Sequence, residues 1–337
     1  MTTKTDSPYY GRFDEIVAAL AASGEAADRF PPQGTPTGLA TFADLFSGIG
    51  GFHVAASRLG MECVMACDID PAAREAYQAN FGLLPAGDVE KIHASEIPEH
   101  DALFAGLPCQ PFSIIGDRRG LADPRGTLYY EVERIVAARQ PRAVLIENVK
   151  QFTTAQGGRA LDYVASSLAD LGYGVDWRIL NALDFGLPQR RERVFIVALR
   201  GYPHQSFPWP TPCEPMTPLA DILEVDPPSS ATVSERIRRA RHAAHTAAER
   251  PAVWHENKSG KVTSHPYSCA LRASASYNYL LVDGERRLTT REMLRLQGFP
   301  DEYTLDARIT AARRLTGNAV AVPVVEAVLR EMQNACA

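Results

Sequence analysis

Cysteine is sparse in this chain of 337 residues, and the six present (Cys63, Cys67, Cys109, Cys213, Cys269, Cys336) form no CxxC pair and no Cys/His cluster at zinc spacing. A zinc framework and a disulfide scaffold are therefore excluded, no metal is expected, and the thiols are read as reduced. Long hydrophobic runs are missing too: nowhere do about 18 apolar residues follow one another. The opening MTTKTDSPYYGRFDE lacks a basic start followed by an apolar segment, so the expectation is a cytoplasmic protein, neither exported nor membrane-spanning. Nor is there an excess of positive charge. Forty acidic residues against 35 basic give a net charge of -5, which argues against coating nucleic acid or membrane by bulk charge but leaves room for a local basic groove. Lysine is the rarest cation, 5 against 30 arginines. The planar fork of arginine suits phosphates and base edges, yet GC-rich coding produces the same skew, and little weight rests on it. Internal repeats and low-complexity tracts are absent.

What is present is enough apolar residue for a core, 45% against 22% charged, which excludes a fibre or a wholly disordered chain. The length fits one large domain carrying a smaller one. Residues 13–30 have helical spacing and PPQGTPTG follows as a linker. Short apolar runs, TFADLF, ECVMACD, ALFAG, AVLIENV, VDWRIL and RVFIVAL, then alternate with helix-like stretches, as expected for βαβ units with helices on both faces of a parallel sheet. The alternation stops near residue 200. The expected partition is 1–38 (helix and linker), 39–200 (the α/β domain), 201–304 (a small recognition domain) and 305–337 (a segment returning to the large domain). RRLTTREMLRLQGFPDEY reads as a capped helix ending at Gly298, and GNAVAVPVVEAVLREMQ as a loop opening a terminal helix.

The run from Asp44 to Phe52, DLFSGIGGF, sits where the first strand meets a helix, and its glycines let backbone approach a ligand at a helix N-terminus. A dinucleotide fingerprint needs GxGxxG, but His53 holds the third glycine's place. Asp68, 20 residues beyond Gly48 at the end of the second strand, suits a ribose diol, and Asp88, expected to end a third strand, suits an adenine amino group. A nucleoside cofactor without a pyrophosphate follows, which points to S-adenosylmethionine. An ordinary tight turn with surface acids is the competing reading.

GLPCQPFS places Cys109 between two prolines in a loop at the carboxyl end of the sheet, where chemistry occurs in this architecture. A lone cysteine is more often a small buried hydrophobe, but this loop reverses that expectation. A thiolate needs electropositive surroundings, and Arg190, Arg191 and Arg193 precede another strand. Glu147 is a charge at the end of the apolar strand AVLIENV; either it forms a structural ion pair with an arginine or it is used. Cysteine, carboxylate and cations at strand ends make a nucleophile with an acid/base partner.

These segments together resemble the DNA (cytosine-5)-methyltransferases of bacterial restriction-modification type. DLFSGIGGF, ACDID, GDVEKI, GLPCQPFS, ENVKQF, LDFGLPQRRERVFIVA, RRLTTREMLRLQGFPDEY and GNAVAVPVV stand in family order and frame residues 41–333 apart from about 201–285. The resemblance implies an S-adenosylmethionine-dependent, Rossmann-like α/β domain with a mixed, mainly parallel sheet, plus a small target-recognition domain, with double-stranded DNA between them. It implies that Cys109 attacks C6 of a flipped cytosine, that Glu147 holds its N3 and amino edge, and that Arg193, with Arg191, orients Glu147 and the ring carbonyl. Cofactor contacts carried over by position are Phe46, Gly48, Ile49, Gly51, Asp68, Ile69, Asp88, Val89, Pro108, Leu128, Asn318 and Val320, with Phe46 and Ile69 on either side of the adenine; plain core packing is the alternative for these two. The product is S-adenosylhomocysteine. Gln110, Ser113, Arg118 and Arg125 are expected at the DNA, on a loop closing over the base.

For DNA reading, SCALRASASYNYL at 268–280 is the expected base-contacting stretch, and two basic runs, SERIRRARH and the set Arg286, Arg287, Arg291 and Arg295, are candidates for phosphates, a solvated helix face being the alternative for the first. A monomer acting apart from any cognate endonuclease is expected. A tRNA methyltransferase on the same scaffold and a catalytically silent DNA-binding protein remain the rival readings.

Overall fold

A computed structural model describes residues 28–108, 127–212 and 215–337; the N-terminal helix expected from residue 13 and the Cys109 loop lie outside the described residues. Six strands form the main sheet: β1 (Thr41–Leu45), β2 (Glu62–Cys67), β3 (Ala102–Gly106), β4 (Ala143–Val149), β5 (Tyr173–Asn181) and β7 (Glu192–Arg200), in the order β2-β1-β3-β4-β7-β5. Buried on both faces, they read as the nearly continuous apolar runs seen in the sequence. The helices α1 (Gly51–Ser57), α2 (Pro71–Phe81) and α9 (Val322–Cys336) cover one face; α3 (Thr127–Arg139) and α4 (Arg159–Asp170) cover the other.

The first four strands are parallel, whereas β7 runs antiparallel to both β4 and β5. A parallel return needs a crossover of about a dozen residues or more, usually a helix. Residues 182–191 instead hold a single 3-10 turn and the two-residue strand β6 (Gln189–Arg190), so the chain folds straight back. This reversal has a chemical consequence: the start of β7 comes to the carboxyl ends of its neighbours, and Arg193 pairs in register with Val149 at the end of β4.

A third strand ending at Asp88 is not found. Only a single parallel bridge, Cys67 to Ala86, joins that segment to β2, and Asp88 then caps a 3-10 turn by accepting from the Glu90 amide. Gly82 and Pro85 leave too short a run for a ladder.

The smaller unit begins with the short helix α5 (Leu219–Ile222) and has the antiparallel strands β8 (Val253–Glu256), β9 (Val262–His265) and β11 (Leu280–Val282), in the order β11-β8-β9, with α6 (Glu235–Ala244) beside them and the two-residue strand β10 (Ser268–Cys269) between β9 and β11 in the chain. Part of residues 201–304 packs outside the core of this unit. Phe207, Trp209, Phe299 and Tyr303 belong to the core under the main sheet, where Tyr303 packs on Phe30, Phe81 and Phe299. Helix α7 (Thr290–Leu296) is shared: Met293 and Leu296 enter the small core and Leu294 the large one. It begins with a Thr289–Glu292 capping box, and Gly298 follows at φ 81. Helix α8 (Ile309–Asn318), a loop and α9 return the chain to the main sheet, where buried Gln333 donates to the Leu39 and Leu59 carbonyls.

Candidate active site

The strand order reverses direction at β1, whose neighbours are β2 on one side and β3 on the other, and the crevice outside such a switch point is where α/β sheets bind ligands. The loop after β1 fills it. Phe46, Gly48 and Gly50 all take positive φ, and the Gly48 amide donates to Asp68 Oδ2 at 2.8 Å, while the Asp70 amide donates to Oδ1 at 2.8 Å. Gly48 and Asp68, separated by a whole βα unit, are thereby joined. Burial raises the Asp68 carboxyl above its usual range; the Gly48 N–H, Arg314 and Arg74 pull it back. Arg314 of α8 also pairs with Asp70.

Ile69 is 72% exposed, so core packing does not account for it. Phe46 is half-buried against the second core, as is Leu128 at the start of α3. Ile49, Val89 and Val320 are core side chains. Gly51 is required by Val320: a Cβ there would stand 2.6 Å from Val320 Cγ2. The loop after α8 therefore rests directly on the first turn of α1, with Asn318 exposed beside it. Asp88 pairs with Lys91 at 3.7 Å and Pro108 is exposed where β3 leaves the sheet.

Glu147 lies at the end of β4, its neighbour in register on β3 being Gly106, and its carbonyl accepts from the Leu107 amide at 3.2 Å. The chain thus leaves β3 alongside Glu147. Arg193 Nε stands 3.0 Å from Glu147 Oε1, an ion pair without the direction of a good hydrogen bond. Burial raises the Glu147 carboxyl; Arg193 first, then Arg191, oppose it. Arg191 itself does not bond Glu147. Fully buried, its guanidinium donates to the carbonyls of Leu271, Gly317 and Ala319, and burial with Arg193 nearby lowers it to about 9. It ties the recognition stretch to the loop after α8. Gln189 adds to this seam, donating to the Leu296 carbonyl and accepting from the Leu271 amide, and β6 pairs with Ser268–Cys269.

Several buried polar atoms here lack a hydrogen-bond partner: both Asp44 carboxylate oxygens, Ser47 Oγ and Asn148 Nδ2, while Glu147 Oε1 has only the ion pair with Arg193. Such groups are costly, about 1–3 kcal/mol each, and each needs an explanation. Burial, then the charge of Asp68, lifts the Asp44 carboxyl well above the ordinary range. Asp44, Ser47 and Asn148 were not singled out from sequence; the signal available was a polar side chain at the end of a strand that is otherwise buried.

Residues 40–334 match the family model "C-5 cytosine-specific DNA methylase". The chain belongs to this family. It is 48% identical over 289 residues to the Type II methyltransferase M.NgoBI of Neisseria gonorrhoeae, covering 84% of this chain and 90% of that one, and 45% identical over 294 residues to M.HaeII of Haemophilus aegyptius, covering 86% and 92%. Among solved structures, the S. pombe Dnmt2 methyltransferase superposes with a TM-score of 0.68 at 23% identity, over 87% of this chain and 98% of that chain, a likeness of fold. The small unit carries the two basic runs expected at phosphates. There the basic runs divide. In SERIRRARH, Arg238 and Arg239 pair with Glu235, Arg241 with Glu256, and His242 stands 2.6 Å from Glu285. Arg286 pairs with Glu292 and Arg295 with Asp301, and Arg291 donates to the Tyr303 carbonyl. These cations are already occupied. Gln110, Ser113, Arg118 and Arg125, like Cys109, lie outside the described residues.

Proposed function

We propose that this protein transfers the methyl group of S-adenosylmethionine to C5 of a cytosine flipped out of a specific duplex DNA sequence, through a transient bond between Cys109 Sγ and C6. The observation that carries the reading is a pair of buried acids near the ends of two strands of one sheet, Asp44 on β1 without a hydrogen-bond partner and Glu147 on β4 held by Arg193. The residues around the first loop fit the cofactor: Gly48 has open space above its Cα, Ile69 offers an exposed apolar face beside Asp68, and the partnerless Asp44 carboxyl is what a cationic ligand would offset. Phe46 and Ile69 would flank its adenine, Asp68 its ribose, Asp88 its adenine edge, and the loop from Asn318 to Val320 its amino-acid end. When bound, the group supplies an electrophilic methyl on a sulfonium.

The work of the chain's own residues follows from their chemistry. The Cys109 thiolate adds to C6 and pushes an electron pair toward C5, which becomes nucleophilic; after methylation, loss of the C5 proton to a base expels the thiolate and restores the ring. Glu147 is suited to the base edge because burial favours its protonated form, which donates to N3 as charge develops there, while Arg193 holds it in place. Arg191 acts at one remove, fixing the loop after α8 against the recognition stretch. The protein works in the cytoplasm as a monomer, and any cognate endonuclease acts separately. Duplex DNA containing 5-fluorocytosine, which cannot lose a C5 proton, should trap a denaturant-stable adduct with the wild type and none with Cys109→Ala; a stable adduct with that variant would refute the mechanism. Bisulfite sequencing of host DNA would give the target.

A further inference from the structure

Arg238, Arg239, Arg241, Arg286 and Arg295 of the small unit each pair with a carboxylate, but Arg272 and Arg287, with Arg313 of α8, converge without one. Arg287 Cζ lies 4.2 Å and Arg313 Cζ 4.6 Å from the ring centre of Tyr277, and Arg272 Cζ lies 4.8 Å from that of Tyr279. Among the described residues, none of the three forms an ion pair with an acid. Arg287 spends one N–H on Asn278 Oδ1 and Arg313 spends N–H groups on the Ala275 and Ser276 carbonyls, which fixes both forks and leaves the rest of each free. A cavity of about 270 Å³ opens at this cluster, lined by Leu271, Tyr277, Arg287, Met293 and Arg313 among others. Tyr277 is 37% exposed at its mouth.

Like charges held side by side over one ring repel one another. Burial lowers the Arg313 guanidinium from its usual range and Arg287 lowers it further, against the aromatic rings that raise it. A bound anion removes that repulsion, and guanidinium forks match a tetrahedral oxyanion. The cluster sits on the stretch expected to meet DNA, and Gly317 of α8 presses on the same stretch, where a Cβ would come 2.5 Å from the Ala273 amide nitrogen. We propose that Arg287 and Arg313, stacked on Tyr277 and joined by Arg272, form a clamp for a backbone phosphodiester of the DNA, setting the register of the recognition stretch on the duplex without reading sequence. This rests on the proposed function for the identity of the anion's carrier.

The test is duplex binding by fluorescence anisotropy across a salt series, with one duplex carrying the methylated site and one lacking it, for wild type, Arg287→Gln, Arg313→Gln and the double variant. The clamp predicts that both duplexes weaken alike and that the slope of log K against log salt falls by about 1 for each phosphate no longer neutralised, with S-adenosylmethionine affinity unchanged. Unchanged slopes in the double variant, or weakening confined to the specific duplex, would overturn it. So would variants that fail to bind inorganic phosphate yet hold both duplexes as the wild type does, which would make the site one for a free anion. If the glutamine variants unfold, the double Lys substitution keeps the charge and loses the planar stack: weaker binding at the wild-type slope supports the clamp, and unaltered affinity overturns it. A wild type that methylates no DNA refutes the proposed function, whereas unchanged slopes in a variant that still methylates DNA refute the clamp alone.

Discussion

Replacing Gly51 by alanine tests the packing that holds the cofactor loop. The new Cβ would stand 2.6 Å from Val320 Cγ2, with the Val320 carbonyl oxygen at 3.4 Å and Phe299 Cζ at 3.6 Å closing other escape routes. Comfortable carbon contacts are about 3.5–4.0 Å, so Val320 must retreat by about 1 Å. It is buried and β-branched, which restricts its side-chain rotation, and the loop from Asn318 to Ala321 has to move with it. Overpacking of this kind costs about 1–3 kcal/mol. For a chain of this size each kcal/mol lowers Tm by about 1–2 °C, and every 1.4 kcal/mol falling on the loop weakens cofactor binding about tenfold. Calorimetry of unfolding and titration with S-adenosylmethionine read both effects. The decisive step is the double variant Gly51→Ala, Val320→Ala, in which the offending Cγ2 is gone: the two changes should be less harmful together than their sum by about 1 kcal/mol or more. Strict additivity, or a Gly51→Ala protein with wild-type Tm and affinity, would refute the steric argument. Gly48→Ala is the contrasting case, with open space around it and a cost of about 1–2 kcal/mol from its positive φ alone.

Asp44→Asn should change the pH dependence of stability. The folded carboxyl holds its proton above the unfolded value of 3.8, so the wild type loses stability as pH rises from there through the folded value; the variant lacks that loss and should gain on the wild type toward neutral pH in urea titrations, and parallel pH profiles would count against a strained acid. Glu147→Gln should lower kcat by about 10²–10⁴-fold with cofactor affinity retained, and a near-normal kcat would remove Glu147 from the chemistry. Arg191→Lys, which cannot reach three carbonyls in one plane, should weaken cofactor and DNA binding together; an effect on neither would show the seam to be dispensable.

Much of the fold and of the site is legible in the sequence. The strands are legible because sheets buried on both faces demand apolar runs, and Asp68 and Glu147 stand out as charges where such runs end. The direction of β7 was not legible, since it depends on what residues 182–191 fail to form. Asp88 misled because an acid after glycine imitates a strand end, although Gly82 and Pro85 leave only one bridge. Arg191 and Arg193 look equivalent in QRRER, yet one faces Glu147 and the other is consumed by carbonyls 80 and more residues away. Arginine pairing across the small unit is likewise a tertiary property: SERIRRARH reads as free positive charge until Glu256 and Glu285 are brought to it.

The central claim is methyl transfer to DNA cytosine through Cys109. Tritiated S-adenosylmethionine incubated with duplex DNA, with tRNA and with buffer alone, using wild type and Cys109→Ala, tests it in one experiment. The account predicts label in duplex DNA with the wild type only; label in tRNA instead, or in DNA with the alanine variant, would contradict it.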